Sequence, residues 1–323
     1  ALKKHCTRTN TADMLALLPL LASAYTLPST SVTGRLGRRE ALAAGAGCAA
    51  AFFATDAPPA FAEGLTPNTV VVAGATGQTG RRVLERLAGK GGLAVIGGVR
   101  NVDSATKSLS ESSVTVRGAM VQNVAAVDTS AVKLAKLDVV KDSVSSMAAT
   151  LKGADSLIIA TGFVPGNPFE MKKAAHDVDN LGTIALVDAA KEAGVKKVVL
   201  VSSILTNGRE WGQEKSPGFV VTNAFGGVLD EKIVAEKYLR ASGLDYTIVR
   251  PGGLKSTPPS GALVVAAEDT LNSGEISRDL VADVCVQALY DTGATNKVVE
   301  IFENESPGAT APPPGKWFYG VKM

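Results

Sequence analysis

The sequence predicts an α/β fold: a doubly wound parallel sheet with helices on both faces and a small substrate cap. Three observations predict it. Short β-branched runs alternate with amphipathic segments between residues 70 and 302, an alternation that requires crossover helices and a parallel sheet. Glycine is frequent, 33 of 323 residues, and aromatics are sparse at 5%, as close helix–strand contacts require. The first apolar run, Val70-Val71-Val72-Ala73, stops at a glycine-rich turn, GATGQTG, that opens a helix.

That turn is the most specific feature of the chain. Gly74 permits a sharp bend, Gly77 leaves room for a pyrophosphate against bare backbone, and Gly80 lets the helix pack closely on the strand. With Thr76, Gln78 and Thr79 they form a cradle at a helix N-terminus, where free N–H groups and a partial positive charge favour phosphate. The elements then follow in order. A helix over Thr79–Gly89 leads to a strand at Ala94–Val99. The polar, aperiodic segment Ser110–Thr129 reads as an extended loop. Further strands are expected at Val132–Leu137, Ser156–Ala160, Val198–Ser202, Tyr246–Val249, Leu263–Ala266 and Val298–Phe302. Helices are expected at Asp142–Leu151, Lys172–Ala193, Leu229–Ala241 and Arg278–Tyr290. Gly194 and Gly243 supply helix stops.

Composition narrows the function classes. Lys+Arg number 33 and Asp+Glu 31, with no basic run, so nothing argues for nucleic acid. Three widely separated cysteines, Cys6, Cys48 and Cys285, form neither a disulfide framework nor a CxxC metal pattern. Only His5 and His176 offer imidazole, which argues against a histidine-based zinc site or a Ser-His-Asp triad.

Residues 1–62 read as a targeting presequence. Met14 to Ala24 is a short apolar run ending in small residues, and Tyr25 to Arg39 is Ser/Thr/Arg-rich and free of acids. Arg38-Arg39-Glu40 then leads into the apolar Ala41–Ala54, and the segment ends Pro58-Pro59-Ala60-Phe61-Ala62, an A-x-A-like cleavage pattern. Together these resemble a multi-part plastid presequence whose last piece, twin-arginine-like, addresses the thylakoid lumen; the stroma is the alternative. A disordered extension with a chance arginine pair is the plainer reading. Ala41–Ala54 is short for a membrane span. Residues 63–306 are expected to form the nucleotide-binding domain and 307–323 a flexible tail, its Pro307–Gly315 a linker or disordered end followed by the apolar Trp317-Phe318-Tyr319.

Beyond the glycine turn, Val99-Arg100-Asn101 ends the second strand. An acidic residue there suits a bare ribose; Arg100 suits a 2′-phosphate and favours NADP over NAD. A solvated surface arginine is the alternative. Asp138, closing the third strand, either accepts from an adenine amino group or caps the next helix. Ala160-Thr161-Gly162 ends the fourth strand, with side chains small enough for the ribose to approach the backbone.

GATGQTG, VR, LDV, ATG, VVLVSS, the lysine of VLDEKIVAEKYL and YTIVRPGGL together resemble the atypical short-chain dehydrogenase/reductase superfamily. ATGF at 160–163, VDNLGT at 178–183, SSILTNG at 202–208 and ISRDLVA at 276–282 resemble more closely a plastid NAD(P)-binding, NmrA-like branch related to the dehydrogenase-like subunit of the chloroplast translocon. The resemblance implies a Rossmann fold, cofactor contacts from Lys232 and Pro251, and catalytic candidates Lys232, Ser202 and Ser203. The superfamily usually adds a tyrosine four residues before the lysine, as general acid. Here that position is Val228, and neither Tyr238 nor Tyr246 has the spacing to replace it. Lys232 has a plainer reading too, as a solvated helix lysine paired with Glu236 at i+4.

Two functions follow as expectations. One is an NADPH-dependent reductase of a conjugated acceptor, flavin or quinone, which takes its proton without a phenol. The other is a non-catalytic nucleotide-binding, redox-sensing or assembly protein. The expected partners are a small-molecule acceptor or a thylakoid or plastid protein, with peripheral membrane association as an option. Trp211–Phe225 caps the cleft on the first reading and docks a partner or lipid on the second.

Overall fold

The computed structural model describes residues 67–321 apart from 112, 117–119 and 124–125. The presequence expected over 1–62 lies outside the described residues. From the first strand the chain runs β1 (Thr69–Ala73), α1 (Gln78–Ala88), β2 (Ala94–Val99), α2 (Val102–Ser110), β3 (Ser113–Val116), β4 (Met120–Asn123), β5 (Lys133–Lys136), α3 (Val144–Leu151) and β6 (Ser156–Ile159). It continues through α4 (Met171–Ala175), a π-helical turn (His176–Leu181), α5 (Gly182–Ala193), β7 (Lys197–Val201), α6 (Pro217–Asn223), α7 (Val228–Ala241) and β8 (Asp245–Pro251). It closes with β9 (Gly253–Lys255), β10 (Ala262–Ala267), β11 (Glu275–Ser277), α8 (Arg278–Gln287) and β12 (Lys297–Asn304).

An eight-stranded sheet has the order β10-β12-β8-β7-β6-β1-β2-β5. Its neighbours pair in parallel except β10, which runs antiparallel to β12. The expected strand at Leu263–Ala266 is therefore present but reversed. β10 lies at the sheet edge beyond β12, and its link from β8 contains only the short strand β9, without the crossover helix that would return the chain to run parallel to β8.

The sequence grows outward from β1 in two directions. It adds β2 and β5 on one side, then returns to add β6, β7 and β8 on the other. The reversal lies between β1 and β6, and ligands of such sheets bind in the crevice outside the carboxyl ends of those strands.

Both sheet faces are covered. Val70, Val72, Val83, Leu84 and Leu87 belong to one buried cluster, with α8 residues Val281 and Cys285. Val71, Ala73, Leu157, Ile159, Leu186 and Leu239 belong to the other. Each such fully buried aliphatic contributes about 1.5–3 kcal/mol. Two faces buried at once explain why β1 and β6 read as continuous apolar runs rather than alternating ones.

Three parts depart from the sequence reading. The expected loop over Ser110–Thr129 contains the antiparallel pair β3–β4, and α2 lies just before it with Asn101 as its cap, the side chain accepting from the Ser104 amide at 2.9 Å. The end of the expected flexible tail is docked: Phe318 is buried in the core, Trp317 Nε1 donates to the Pro312 carbonyl at 2.9 Å, and Lys297 Nζ to that of Val321 at 2.6 Å. The cap contains the helix α6, whose Phe219 packs with Ala175, Ile204, Leu205, Val228 and Leu229 in a satellite cluster. None of the helices is long and apolar enough to cross a membrane, among the described residues.

Candidate functional site

The glycine turn sits at the reversal point. Gly74 has φ +79°, and a Cβ there would lie 2.7 Å from the Ala160 carbonyl oxygen. This brings the end of β1 against the end of β6, and only glycine satisfies both conditions. At Gly80 a Cβ would fall 2.2 Å from the Gly74 carbonyl oxygen, so the first turn of α1 rests directly on the bend. Gly77 is different. Its φ of −66° is open to any residue, and it stands exposed at the N-cap of α1.

No side chain caps α1 and no acid occupies its first turn. Gly77 donates to the Gly74 carbonyl at 2.9 Å, and the Arg81 amide to that of Gly77 at 2.9 Å. The amides of Gln78, Thr79 and Gly80 have no acceptor among the described residues. Unspent N–H groups at an exposed helix N-terminus are a ready anion site. Beside them, Thr161 Oγ1 is buried without a hydrogen-bond partner. These residues fit a dinucleotide: the cradle for its diphosphate, Thr161 and Ala160 for the adjoining ribose.

The other expected contacts lie along the same carboxyl edge. Arg100 follows β2, is exposed, and makes no ion pair among the described residues, so its guanidinium is free for a phosphate. Asp138 is buried; its Oδ1 accepts from the Val140 amide at 3.1 Å, and its own amide donates to Asp142 at 2.8 Å. It closes a turn and does not cap α3, because Ser143 does, accepting from the Ser146 amide. Pro251 is buried at the end of β8, its carbonyl accepting from the Ile204 amide at 3.0 Å. Gln78 reaches across to Ser256, whose hydroxyl donates to its side-chain oxygen at 3.0 Å.

The catalytic candidates separate. Lys232 does not pair with Glu236. Its Nζ lies 2.7 Å from Asp179 Oδ1, with the Asp179 side chain fully buried. Asp179 Oδ2 accepts from the Phe163 amide at 3.1 Å, and a Cβ on Gly162 would lie 3.7 Å from Asp179 Oδ1. The ion pair therefore stands beside the end of β6, next to the cradle. Ser202 is corrected: it is buried, and its hydroxyl donates to Glu236 Oε1 inside the protein. It has no donor left for an acceptor in the cleft. Ser203 is half-buried and its hydroxyl has no partner among the described residues.

Glu236 belongs instead to a buried charge cluster. It accepts from Arg250 Nη2 at 2.6 Å and from Thr206 Oγ1 at 3.0 Å. Arg250 Nη1 also donates to Asp269 at 2.8 Å and to Glu300 at 3.4 Å. Burial opposes the charge of Arg250, yet the carboxylates of Glu236, Asp269 and Glu300 hold its pKa above the ordinary arginine value. No phenol approaches Lys232 among the described residues. Val228 is buried at the start of α7, Tyr246 packs against the core, and the Tyr238 hydroxyl donates to Asp188 at 2.6 Å.

Sequence reasoning missed Asp179 and Asn180. Asn180 Nδ2 donates to Glu231 Oε2 at 2.6 Å, and His176 Nδ1 meets the same oxygen at 2.9 Å. Two consecutive residues, 179 and 180, thus face two consecutive residues of α7. The wide turn over His176–Leu181, with the Gly182 amide bonded to the Asp177 carbonyl, allows this, and such turns cluster at functional sites. The signal was VDNLGT, noted for its resemblance but not assigned a task.

Other chemistries find no support among the described residues. A groove of about 690 Å³ between α1, α8 and Trp317 is lined by none of the glycine-turn residues and by neither Lys232 nor Asp179, and its Arg86 is already paired with Asp279 and Asp283. Cys285 is buried, and burial together with nearby Asp283 pushes its thiol up to about 12, far from an activated nucleophile. No cluster of three or more His, Cys, Asp or Glu that could hold a metal exists among the described residues.

The family described as NAD(P)H-binding matches residues 119–292, from the start of β4 into the turn after α8. The chain belongs to this family. A chloroplastic Arabidopsis thaliana protein described as uncharacterized is 46% identical over 234 residues, 72% of this chain and 75% of that one. Protein TIC 62 of Pisum sativum chloroplasts is 33% identical over 249 residues, 72% of this chain but 42% of that longer protein. Sanguinarine reductase of Eschscholzia californica is 34% identical over 145 residues, 44% of this chain and 50% of the reductase. The crystal structure of the oxidoreductase ylbE from Lactococcus lactis superposes with a TM-score of 0.57 at 23% identity, covering 74% of this chain and 92% of that one. That likeness bears on the fold alone and agrees with the Rossmann-type order of the sheet.

Proposed function

We propose that this protein is an NADP(H)-dependent reductase of a conjugated acceptor, of the flavin or quinone type, working in the plastid. The observation that carries the reading is the position of the Lys232 cation. It stands beside the end of β6, adjoining the diphosphate cradle, with no phenol near it among the described residues. A bound reduced nicotinamide supplies a hydride. The chain's own residues do the rest: the Gln78–Gly80 amides hold the diphosphate, the cap excludes water, and Lys232 places positive charge where the acceptor gathers negative charge. A conjugated acceptor spreads that charge, so a tyrosine of matched acidity is dispensable. The relatedness to sanguinarine reductase supports reduction of a conjugated substrate by analogy. The chloroplastic relatives support the plastid; the twin-arginine-like segment favours the lumen, and the need for soluble nicotinamide favours the stroma.

The missing phenol and the inward turn of Ser202 favour a second reading, a nucleotide-binding protein without turnover. Mixing the protein with NADPH and a panel of flavins and quinones, with absorbance followed over time, separates the two. Oxidation above background is expected; tight binding without oxidation would leave only the second reading.

The preference for NADP is tested at Arg100. Arg100→Asp removes a charged phosphate partner worth about 1.5–3 kcal/mol. NADPH affinity is expected to fall about 10–100-fold, with NADH affinity unchanged or improved, measured by fluorescence titration. Equal losses for both, or none, would remove the 2′-phosphate assignment.

A further inference from the structure

We propose that Asp179 is the positioning residue for Lys232, and that the ammonium it holds is the proton donor to the reduced acceptor in place of the absent tyrosine. The donor half of this inference rests on the reductase reading; the positioning half does not.

The geometry is specific. The Asp179 side chain is fully buried and that of Lys232 is 17% exposed, so water screens the pair weakly. One carboxylate oxygen is fixed by the Phe163 amide, and Phe163 directly follows the Gly162 that ends the ATG segment. Asp179 is thereby tied to the backbone that lines the crevice. Its other oxygen lies 2.7 Å from Lys232 Nζ, so the carboxylate holds the ammonium and takes up one of its N–H bonds. The other two N–H bonds have no acceptor among the described residues and are available to a ligand at the β6 end. The ammonium is thus fixed through one hydrogen while another can pass to an electron-rich acceptor, and the Asp179 carboxylate favours its reprotonation.

The parallel bridge from Asn180 to Glu231 fixes the other axis of the same helix pair. The wide turn makes both bridges possible, since a regular helix turns about 100° per residue. The acceptor gains two electrons and a hydrogen nucleus as hydride from the reduced nicotinamide. Its heteroatom, now electron-rich, takes one proton from Lys232 Nζ. The neutral amine regains a proton from water. The products are the oxidised nicotinamide and the dihydro acceptor.

The test compares wild type, Asp179→Asn and Lys232→Met, each full-length. Reductive methylation followed by peptide mass spectrometry reads the accessibility and orientation of the Lys232 amine without any acceptor. Lys232 is expected to label at least about tenfold faster in D179N, since loss of the anchoring charge frees the side chain. Equal labelling rates overturn the positioning role, whatever the activity. With an acceptor present, D179N and K232M are each expected to lose about 100-fold in kcat, the usual size of a general-acid contribution, with KM for the acceptor changed less than about threefold. A KM effect with kcat intact overturns the donor role. If wild type turns over no acceptor, the reductase reading and the donor role fall together, and the labelling result alone decides the positioning role. Circular dichroism melts identify a variant that fails to fold. In that case Asp179→Ser, which also removes the charge, replaces D179N, with the same faster labelling expected and equal rates overturning the positioning role.

Discussion

Gly77→Asp is expected to abolish NADP(H) and NAD(H) binding while leaving the fold intact or slightly stabilised. Substitution in a glycine turn usually confounds binding with folding, and here the structure separates them. Gly77 has φ −66° and ψ 162°, ordinary extended backbone, and a Cβ there would meet the Gly74 carbonyl oxygen at 3.1 Å, a tight contact that a small backbone shift relieves. Gly74 and Gly80 would instead drive a Cβ to within 2.7 Å and 2.2 Å of backbone oxygens, so substitutions there test folding. Gly77 is also the N-cap of α1, which lacks a side-chain cap. Aspartate is among the best N-cap residues, worth about 0.5–2 kcal/mol over alanine. Its carboxylate would bond the Gln78–Gly80 amides and occupy the place of the diphosphate with like charge. Like charges set face to face cost several kcal/mol, so affinity is expected to fall about 100-fold or more. Calorimetric titration and a thermal melt on the same sample check both halves. Undiminished affinity with an unchanged melt would mean that the dinucleotide does not rest on this turn, and the functional reading would lose its foundation.

The separation between what the residues announced and what they hid has a physical basis. The cradle was legible because three glycines, a β-branched strand and an amphipathic helix are all local, and each constrains the same bend. The strands of the main sheet were legible because burial on both faces leaves unbroken apolar runs. The direction of β10 was not legible, since an edge strand of the same composition can pair either way. The fate of Ser202 was hidden for a different reason. Nothing in SSILTNG tells whether a hydroxyl points to the cleft or to a carboxylate 34 residues away. Lys232 and Glu236 at i+4 formed the expected helix pair by spacing alone. Tertiary partners outcompeted it: Arg250, fully buried, takes Glu236, and Asp179 takes Lys232. Charged groups in helices are assigned by what is buried around them, and that is settled only when the chain folds.

Glu236→Ala is expected to produce the largest loss of stability of any single substitution considered, about 3–5 kcal/mol, because it strips a buried arginine of its main partner. Glu236 and Arg250 are both fully buried; the hydroxyls of Ser202 and Thr206 and the Nε and Nη2 of Arg250 would lose their acceptor at once, leaving the guanidinium the hydrogen bonds of Nη1 to Asp269 and Glu300. Glu300 does not take over. Its carboxylate lies 3.4 Å from Arg250 and is committed to the amides of Asp269, Thr270 and Leu271 at 3.0, 3.1 and 2.7 Å. Urea denaturation measures the effect as a shift in midpoint at constant slope. Replacing both partners with apolar residues of similar volume, Glu236→Leu with Arg250→Met, is expected to recover most of the loss, since the desolvation cost of the pair disappears along with its attraction. A single variant within about 1 kcal/mol of wild type would show that the cluster is solvated in practice and that its charges are worth no more than surface pairs. The cluster also bears on the site. Lys232 stands one helical turn before Glu236 on α7, and the Glu236–Arg250 pair ties that helix to β8. Loss of the tie should loosen Lys232 against Asp179, so E236A is expected to speed the labelling of Lys232 even in native buffer, while the double apolar variant, with α7 repacked on β8, keeps it slow.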